Sequence, residues 1–483
     1  MIGHTNKTTY GEVITPPEFA RNMLLETLSS SLFKDPALKW LDIGAGRGCF
    51  GVALRRILND TLADAIPDAA ARDRHIITRM LHMVEINPDN VTDYLRPLFG
   101  LDANIHQADY LTWDPPPALH YDVVIGNPPF NCDGAIKVPT NSATDKRDDG
   151  RTVWPHFVRK TLALMRRCEQ GKSATMCILI PSIWMKPADK SGIFDELVTS
   201  EFGTVSRLRC FTSLESNRIF RSGGGAQTPC CYFAYTHDRT NSNTKCIELR
   251  DDNADTGHTP YSVIPPRPIP LCGASIINKL LALMSRTTGQ QHVRVLKTNM
   301  PGKGVTLSPG AAATAEHTHP CIHSCTIRAI CAVDDNDAKK LPQLSIRYSS
   351  HPCAYAGVPK LVLAHKMYGY PYLDLTGEYG ISNRDSYVIE LVRGPDGAPD
   401  KAWAIQMMAY LSSPIALMVY DATRYRMQYL ERYAFELLPM PPFPFSDAAH
   451  ILGLTESEIT FLSRRRYRPL QPFPAAASTF GPA

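Results

Sequence analysis

Four consecutive residues, Asn127-Pro128-Pro129-Phe130, carry the most specific chemistry in this chain of 483 residues. They follow Tyr121-Asp122-Val123-Val124-Ile125-Gly126, an apolar run that reads as a buried strand. The prolines stiffen the loop and remove backbone donors, which leaves the Pro128 carbonyl and the Asn127 amide oxygen to accept hydrogen bonds. Two acceptors fixed side by side suit a planar amino group. Accepting both of its protons draws the nitrogen towards tetrahedral geometry and localises its lone pair for attack on a sulfonium methyl, an in-line displacement that needs positioning more than a base. Phe130 offers a ring face for stacking. A base inside a duplex cannot reach such a pocket, so its nucleotide must leave the stack. The ordinary explanation of the tetrapeptide is a proline-stiffened turn, and the residues at three other strand ends weigh against it.

Residues 39–43 read as a short strand closed by Asp42, followed by Gly44-Ala45-Gly46-Arg47-Gly48 and a helical run with Phe50, Leu54, Ile57 and Leu58 on one face. Such glycines let the backbone approach a ligand and turn a helix amino terminus towards it, although nicotinamide enzymes share the turn. Residues 81–86 form a second strand ending in Glu85 and Ile86, where a carboxylate can accept both hydroxyl protons of an adenosine ribose. Residues 105–110 form a third, with Asp109 placed to accept from an adenine amino group. Each carboxylate alone has a plain alternative, a solvated strand end for Glu85 and a turn cap for Asp109. In an open parallel sheet, however, ligands bind beyond the carboxyl ends of the strands, and all four polar ends agree.

The elements that must position these residues alternate strand and helix, which specifies a doubly wound α/β sheet. Residues 18–33 are helical, with Phe19, Met23, Leu24 and Leu28 spaced on one face behind Pro16 and Pro17. A helix over 154–168, a buried strand over 174–181 and a late strand over 229–235 continue the domain. The proline-rich run 263–270 favours an extended spacer. This divides the chain into a domain over 1–262, a linker over 263–271, a mixed α+β domain over 272–445 and a proline-rich tail over 446–483 with Arg464, Arg465, Arg466 and Arg468. In the second domain, strands are expected at 360–364 and 386–391 and helices at 276–284 and 402–421.

The balance of 51 basic against 47 acidic residues, a net +4, does not by itself announce nucleic-acid binding. Thirteen scattered cysteines without a secretory segment point to a reducing compartment and free thiols. The apolar stretch 402–420 is interrupted by Gln406, Ser412, Ser413 and Pro414, so a buried core helix is expected rather than a membrane span, in a soluble intracellular protein.

In this order, the motifs resemble those of the N6-adenine DNA methyltransferases whose cofactor motifs come first and whose target-recognition domain comes last, the NPPF class of type II restriction-modification systems. Gly11-Glu12-Val13-Ile14-Thr15-Pro16-Pro17 is similar to their amino-terminal motif, and Leu41-Asp42-Ile43-Gly44-Ala45-Gly46 to their glycine motif. The resemblance implies a seven-stranded Rossmann-like methyltransferase domain with S-adenosylmethionine as cofactor, followed by the mixed recognition domain. By the same match Thr15 contacts the methionine portion of the cofactor, Asp42, Gly44, Gly46, Glu85 and Ile86 line its site, with Glu85 on the ribose, and Asp109 binds its adenine. Asn127, Pro128, Pro129 and Phe130 take the target amino group.

The segment 177–184 is similar to a later strand of the family. Tyr232-Phe233 is similar to the late motif that supplies a second aromatic wall, so Phe233 is the candidate to face Phe130 across the base, with core packing as its ordinary role. Pro359-Lys360-Leu361-Val362-Leu363 and the run 374–382 resemble segments of recognition domains. Phe130 together with the amino-terminal motif favours adenine over cytosine. The second domain favours double-stranded DNA over RNA or a protein glutamine amide, whose enzymes also use an Asn-Pro-Pro-aromatic loop. A catalytically idle nucleic-acid-binding homologue would carry a damaged loop or glycine turn, and both are intact. No nuclease constellation is evident, so a restriction partner is expected on a separate chain.

One departure from the family is the spacing from Asp42 to Glu85, longer than the roughly 20 residues usual between glycine turn and ribose carboxylate. The run 58–76 accounts for it as a surface insertion or an extended helix. Weaker signals lie further on. His317, His319, Cys321, His323 and Cys325 alternate, so an unbroken strand would present all five on one face as zinc ligands do. Pro320 interrupts the run and no second ligand pair stands at finger spacing, so a recognition-domain strand without metal is expected. Arg347, Lys360, Lys366 and Arg384, interleaved with Tyr348, Tyr368 and Tyr370, suit contacts to phosphates and bases, against the ordinary alternative of a solvated face.

Overall fold

The computed structural model describes residues 9–117, 119–134, 150–167, 173–187, 192–198, 203–221, 228–237, 246–251, 257–286, 292–329, 340–365, 371–426, 430–440 and 448–464. The chain forms two compact units, 1–272 with 425–427, and 273–424 with 428–483.

The first unit is built on a nine-stranded sheet. Its strands are β1 (Trp40–Asp42), β2 (Leu81–Glu85), β3 (Asn104–Gln107), β4 (Val123–Gly126), β5 (Ala174–Pro181), β6 (Gly203–Phe211), β7 (Cys230–His237), β8 (Cys246–Arg250) and β9 (His258–Ser262). They lie in the order β9-β8-β6-β7-β5-β4-β1-β2-β3. The neighbours from β5 to β3 all run parallel, and β7 is antiparallel to both β5 and β6. Seven strands were expected, and the β8–β9 hairpin extends the sheet by two. Its strands alternate buried with exposed or half-buried residues, as suits an edge with one covered face.

The chain leaves β1 towards β2 and β3, then returns to the other side of β1 with β4. Strand order therefore reverses between β1 and β4, where Asp42 pairs with Ile125. A crevice beyond the carboxyl ends opens at such a reversal. Every residue of β1, β2, β4 and β5 is buried, as strands covered on both faces require.

Helix α1 (Pro17–Thr27) starts with proline in its first turn and buries Ala20, Met23, Leu24 and Thr27, the i, i+3, i+4 face that its sequence prescribes. Helix α2 (Cys49–Thr61) follows the glycine turn and buries Phe50, Ala53, Leu54, Ile57 and Leu58. The long interval before β2 is not one extended helix. It holds α3 (Ala69–His75) and a π turn, Ile76–Met80, whose Ile76 and Met80 are buried and lead directly into β2. Arg55 of α2 pins α3 through Asp73 at 2.6 Å, with Asn59 at 2.9 Å from the same carboxylate. Glu85 keeps its place because β2 pairs with β1, Asp42 opposite Met83. Helix α4 (Trp154–Met165) is shorter than expected. The proline-rich run packs within this unit, with Ile269 fully buried and its N–H donating to the Met185 carbonyl at 2.9 Å.

The second unit is mixed. A four-stranded sheet contains β10 (Leu296–Lys297), β13 (Lys360–Ala364), β14 (Tyr372–Asp374) and β16 (Ser386–Glu390), and a three-stranded one contains β11 (His319–Ala329), β12 (Lys340–Ser349) and β15 (Gly380–Ile381). Ile322, Val362, Tyr372, Ile381 and Val388 form the core of the two sheets. The helix expected over 402–421 is two, Lys401–Leu411 and Pro414–Ala422, bent by 55°. Pro414 cannot continue the first helix, and the Ser413 hydroxyl caps the second by accepting from Ala416 N–H at 3.2 Å. Among the described residues no single helix is long and apolar enough to cross a membrane.

Candidate functional site

A cavity of about 620 Å³ opens at the carboxyl ends of β1, β2 and β4, within the range of small-molecule sites. Gly44, Gly46, Glu85, Ile86, Asp109, Asn127 and Pro129 line it, seven of the candidates named from sequence. The Cβ position of Gly44 lies 3.8 Å from Pro128 Cα, so the glycine turn and the Asn-Pro-Pro-Phe loop abut. Gly46 adopts φ +53°, a left-handed conformation that suits glycine.

Glu85 shapes this turn as well as lining the cavity. Its Oε2 accepts from Gly46 N–H at 2.7 Å, and its Oε1 accepts from Asn87 N–H at 2.8 Å and more weakly from Asn90 Nδ2 at 3.4 Å. Burial raises its pKa, those hydrogen bonds oppose the rise, and neighbouring Glu12 adds to it. Asp42 is fully buried, and its carboxyl is pushed up to about 7 by desolvation, against a weak contact from Gly44 N–H and with help from the Glu85 charge.

Glu12 is the residue that sequence reading passed over. Its carboxylate lines the cavity with 9% of the side chain exposed, 3.6 Å from Arg47 Nε and 3.3 Å from Asn90 Nδ2. Arg47 in turn stacks on Tyr94 at 4.6 Å. The available signal was the position of Glu12 inside the amino-terminal motif, three residues before Thr15. Glu12 Oε2 and Asp42 Oδ2 are buried with no hydrogen-bond partner among the described residues. Buried acceptors of this kind call for donors. The hydroxyls and the ammonium group of S-adenosylmethionine are donors of that chemistry, so the residues present fit the cofactor.

The amino-terminal strap lies against the Asn-Pro-Pro-Phe loop. Gly11 has φ +68°, and a Cβ there would meet the Asn131 carbonyl oxygen at 2.0 Å, so only glycine passes. Asn127 Nδ2 donates to Thr15 Oγ1 at 3.0 Å. Thr15 and Asp42 are buried and stand outside the cavity lining.

Other candidates are placed differently. Asp109 lies beyond β3, which stops at Gln107, and its Oδ1 accepts from Leu111 N–H at 2.9 Å as a turn cap. Phe130 is half-buried against the core of the first unit, and Phe233 is fully buried, 5.2 Å from Trp184 between ring centroids. Neither ring lines the cavity. Phe157 and Tyr110 do, stacked at 5.4 Å.

In the second unit Lys360 is fully buried, so its ammonium does not face a phosphate backbone. Arg384 is exposed, Arg347 and Tyr348 are half-buried, and Lys366, Tyr368, Tyr370, Arg465, Arg466 and Arg468 lie outside the described residues. The alternating His/Cys run does not form one unbroken face. Its pairing with β12 shifts at His323, and His317, which precedes β11, engages Thr314 at 2.8 Å and Thr306 at 3.0 Å through its two ring nitrogens. The Cys325 side chain lies outside what is described.

No protein-family model and no curated protein matches the chain. Among solved structures it is similar to a modification subunit of a putative type I restriction enzyme from Vibrio vulnificus YJ016, at 15% identity over 57% of this chain and 53% of that one, with a TM-score of 0.35. A type I restriction-modification methyltransferase subunit from Streptococcus thermophilus matches at 15% identity over 52% and 50%, TM-score 0.34. The type IIG restriction endonuclease BpuSI matches at 11% identity over 92% of this chain and 60% of its own, TM-score 0.40. The chain thus spans about half the length of the first two. Likenesses this distant assign no activity to it.

Proposed function

We propose that the chain is a site-specific DNA adenine N6-methyltransferase that uses S-adenosylmethionine and acts on a flipped-out adenine. The observation that carries this reading is the junction of the Asn-Pro-Pro-Phe loop with the glycine turn, on one cavity at the reversal point of the sheet. When bound, S-adenosylmethionine supplies an electrophilic methyl on a sulfonium sulfur. Glu85 and Glu12 accept from its hydroxyl and ammonium donors, Asp42 backs the glycine turn from within the protein, and Gly44 and Gly46 let the backbone approach the cofactor. Asp109, with one carboxylate oxygen committed to its turn, offers the other to the cofactor adenine. Asn127 Oδ1 and the Pro128 carbonyl hold the two protons of the target amino group, which aims the nitrogen lone pair at the methyl carbon. Phe130 supports the loop from the core side. The second unit is assigned to DNA recognition, with Arg384 and Arg347 as its described basic candidates.

The test is transfer of labelled methyl from S-adenosylmethionine to DNA, RNA and protein offered separately, followed by digestion of the DNA to nucleosides. Label in N6-methyladenine is the expected result. Label in N4-methylcytosine, or in RNA or glutamine alone, overturns it.

A further inference from the structure

We infer that Thr15 positions Asn127 for methyl transfer instead of binding the cofactor, an inference that rests on the function proposed above. A primary amide presents an oxygen at one corner and an NH2 at the other. Only the oxygen can receive the protons of an amino group. If the amide turned over, its own N–H groups would meet the donors of the target, and the site would repel what it must hold. Asn127 must therefore be held in place.

The Thr15 hydroxyl accepts from Asn127 Nδ2 at 3.0 Å, a hydrogen bond that holds the amide in place with Oδ1 as the polar end available on a residue that lines the cavity. Thr15 is 4% exposed and stands outside the cavity lining, as befits a group that acts through its neighbour. Its own position is rigid. Pro16 and Pro17 follow it into α1, whose Ala20, Met23 and Leu24 are anchored in the core. Pro128 and Pro129 follow Asn127 in the same way. One hydrogen bond is thus bracketed by two proline pairs, each of which limits the backbone freedom of the residue before it. Gly11, four residues earlier, lets the strap press close enough to the loop for this bond to form.

The experiment compares wild type, Thr15→Val, Thr15→Ser and Asn127→Ala in single-turnover transfer to DNA, with calorimetric titration of S-adenosylhomocysteine on each. Valine keeps the shape and removes the acceptor. Its rate is expected to fall about 10- to 100-fold, the worth of one buried hydrogen bond, with cofactor-product affinity and the KM for DNA unchanged. Serine should restore most of the rate. An undiminished rate in Thr15→Val overturns the proposal. So does a loss of S-adenosylhomocysteine affinity matching the loss of rate, which would make Thr15 a cofactor contact. If valine lowers the melting temperature, Thr15→Ala serves in its place, and failure of both to fold makes Thr15 merely structural. Absence of transfer to DNA by wild type is a separate outcome that removes the functional reading itself.

Discussion

Lys360 in the second unit and Glu12, Asp42 and Glu85 in the first are comparably buried, yet the two groups are answered differently by the chain around them. The three donors of the Lys360 ammonium meet Asp374 Oδ2 at 2.6 Å and the Tyr355 and Val358 carbonyls at 3.1 Å. Asp374 also accepts from Glu378 N–H at 2.9 Å and Tyr379 N–H at 3.0 Å. Nothing in that pair asks for a ligand. Glu12 and Glu85 line one cavity, Asp42 is fully buried at the glycine turn beside it, and Glu12 Oε2 and Asp42 Oδ2 have no hydrogen-bond partner among the described residues. A satisfied buried charge fixes a fold, whereas an unsatisfied one costs stability and is retained where a ligand completes it.

Breaking the satisfied pair should have the largest effect. Lys360→Met leaves Asp374 buried without its cation and is expected to cost about 3–5 kcal/mol, read by denaturant unfolding. A loss under about 1 kcal/mol would mean that Lys360 is no structural anchor.

The ligand-free carboxylates should behave in the opposite sense. Because burial raises Asp42 from an ordinary value near 3.9 to about 7, ionising it in the folded state is uphill. Its contribution to stability is therefore fully present below pH ~4 and is lost as pH rises through about 7. Asp42→Asn should make the ligand-free protein more stable than wild type at pH 8, by up to about 4 kcal/mol, with the advantage gone at pH 4. Thermal unfolding across that range checks it, and an advantage independent of pH would contradict the assignment. Glu12→Gln should have the smallest effect, weakening S-adenosylhomocysteine about tenfold in calorimetry while stability holds or rises. Unchanged affinity would remove Glu12 from the site.

The difference between the units also marks what the sequence made legible. Strands β1, β2, β4 and β5 were readable because short apolar runs bounded by glycine, proline and polar ends have one good use in a parallel sheet. The same reading located the strand ends, and so seven residues of the cavity wall. It did not foresee that Asp109 would sit past the end of β3, because Ala108 N–H turns back to the Glu85 carbonyl at 2.9 Å, a contact set by the neighbouring strand. Nor did it separate a reader of DNA from a structural lysine at Lys360, since burial depends on residues distant in sequence. Glu12 escaped for the same reason, as its neighbours Asn90 and Arg47 come from other segments. The break at Ser413-Pro414 was local and available, and the apolar content of the flanking residues outweighed it.

The central claim is that Asn127 holds the amino group that receives the methyl. It is tested most directly by Asn127→Ala, assayed for N6-methyladenine in DNA alongside calorimetric binding of S-adenosylhomocysteine. Methylation should vanish while binding stays near that of wild type; methylation at the wild-type rate would contradict the account.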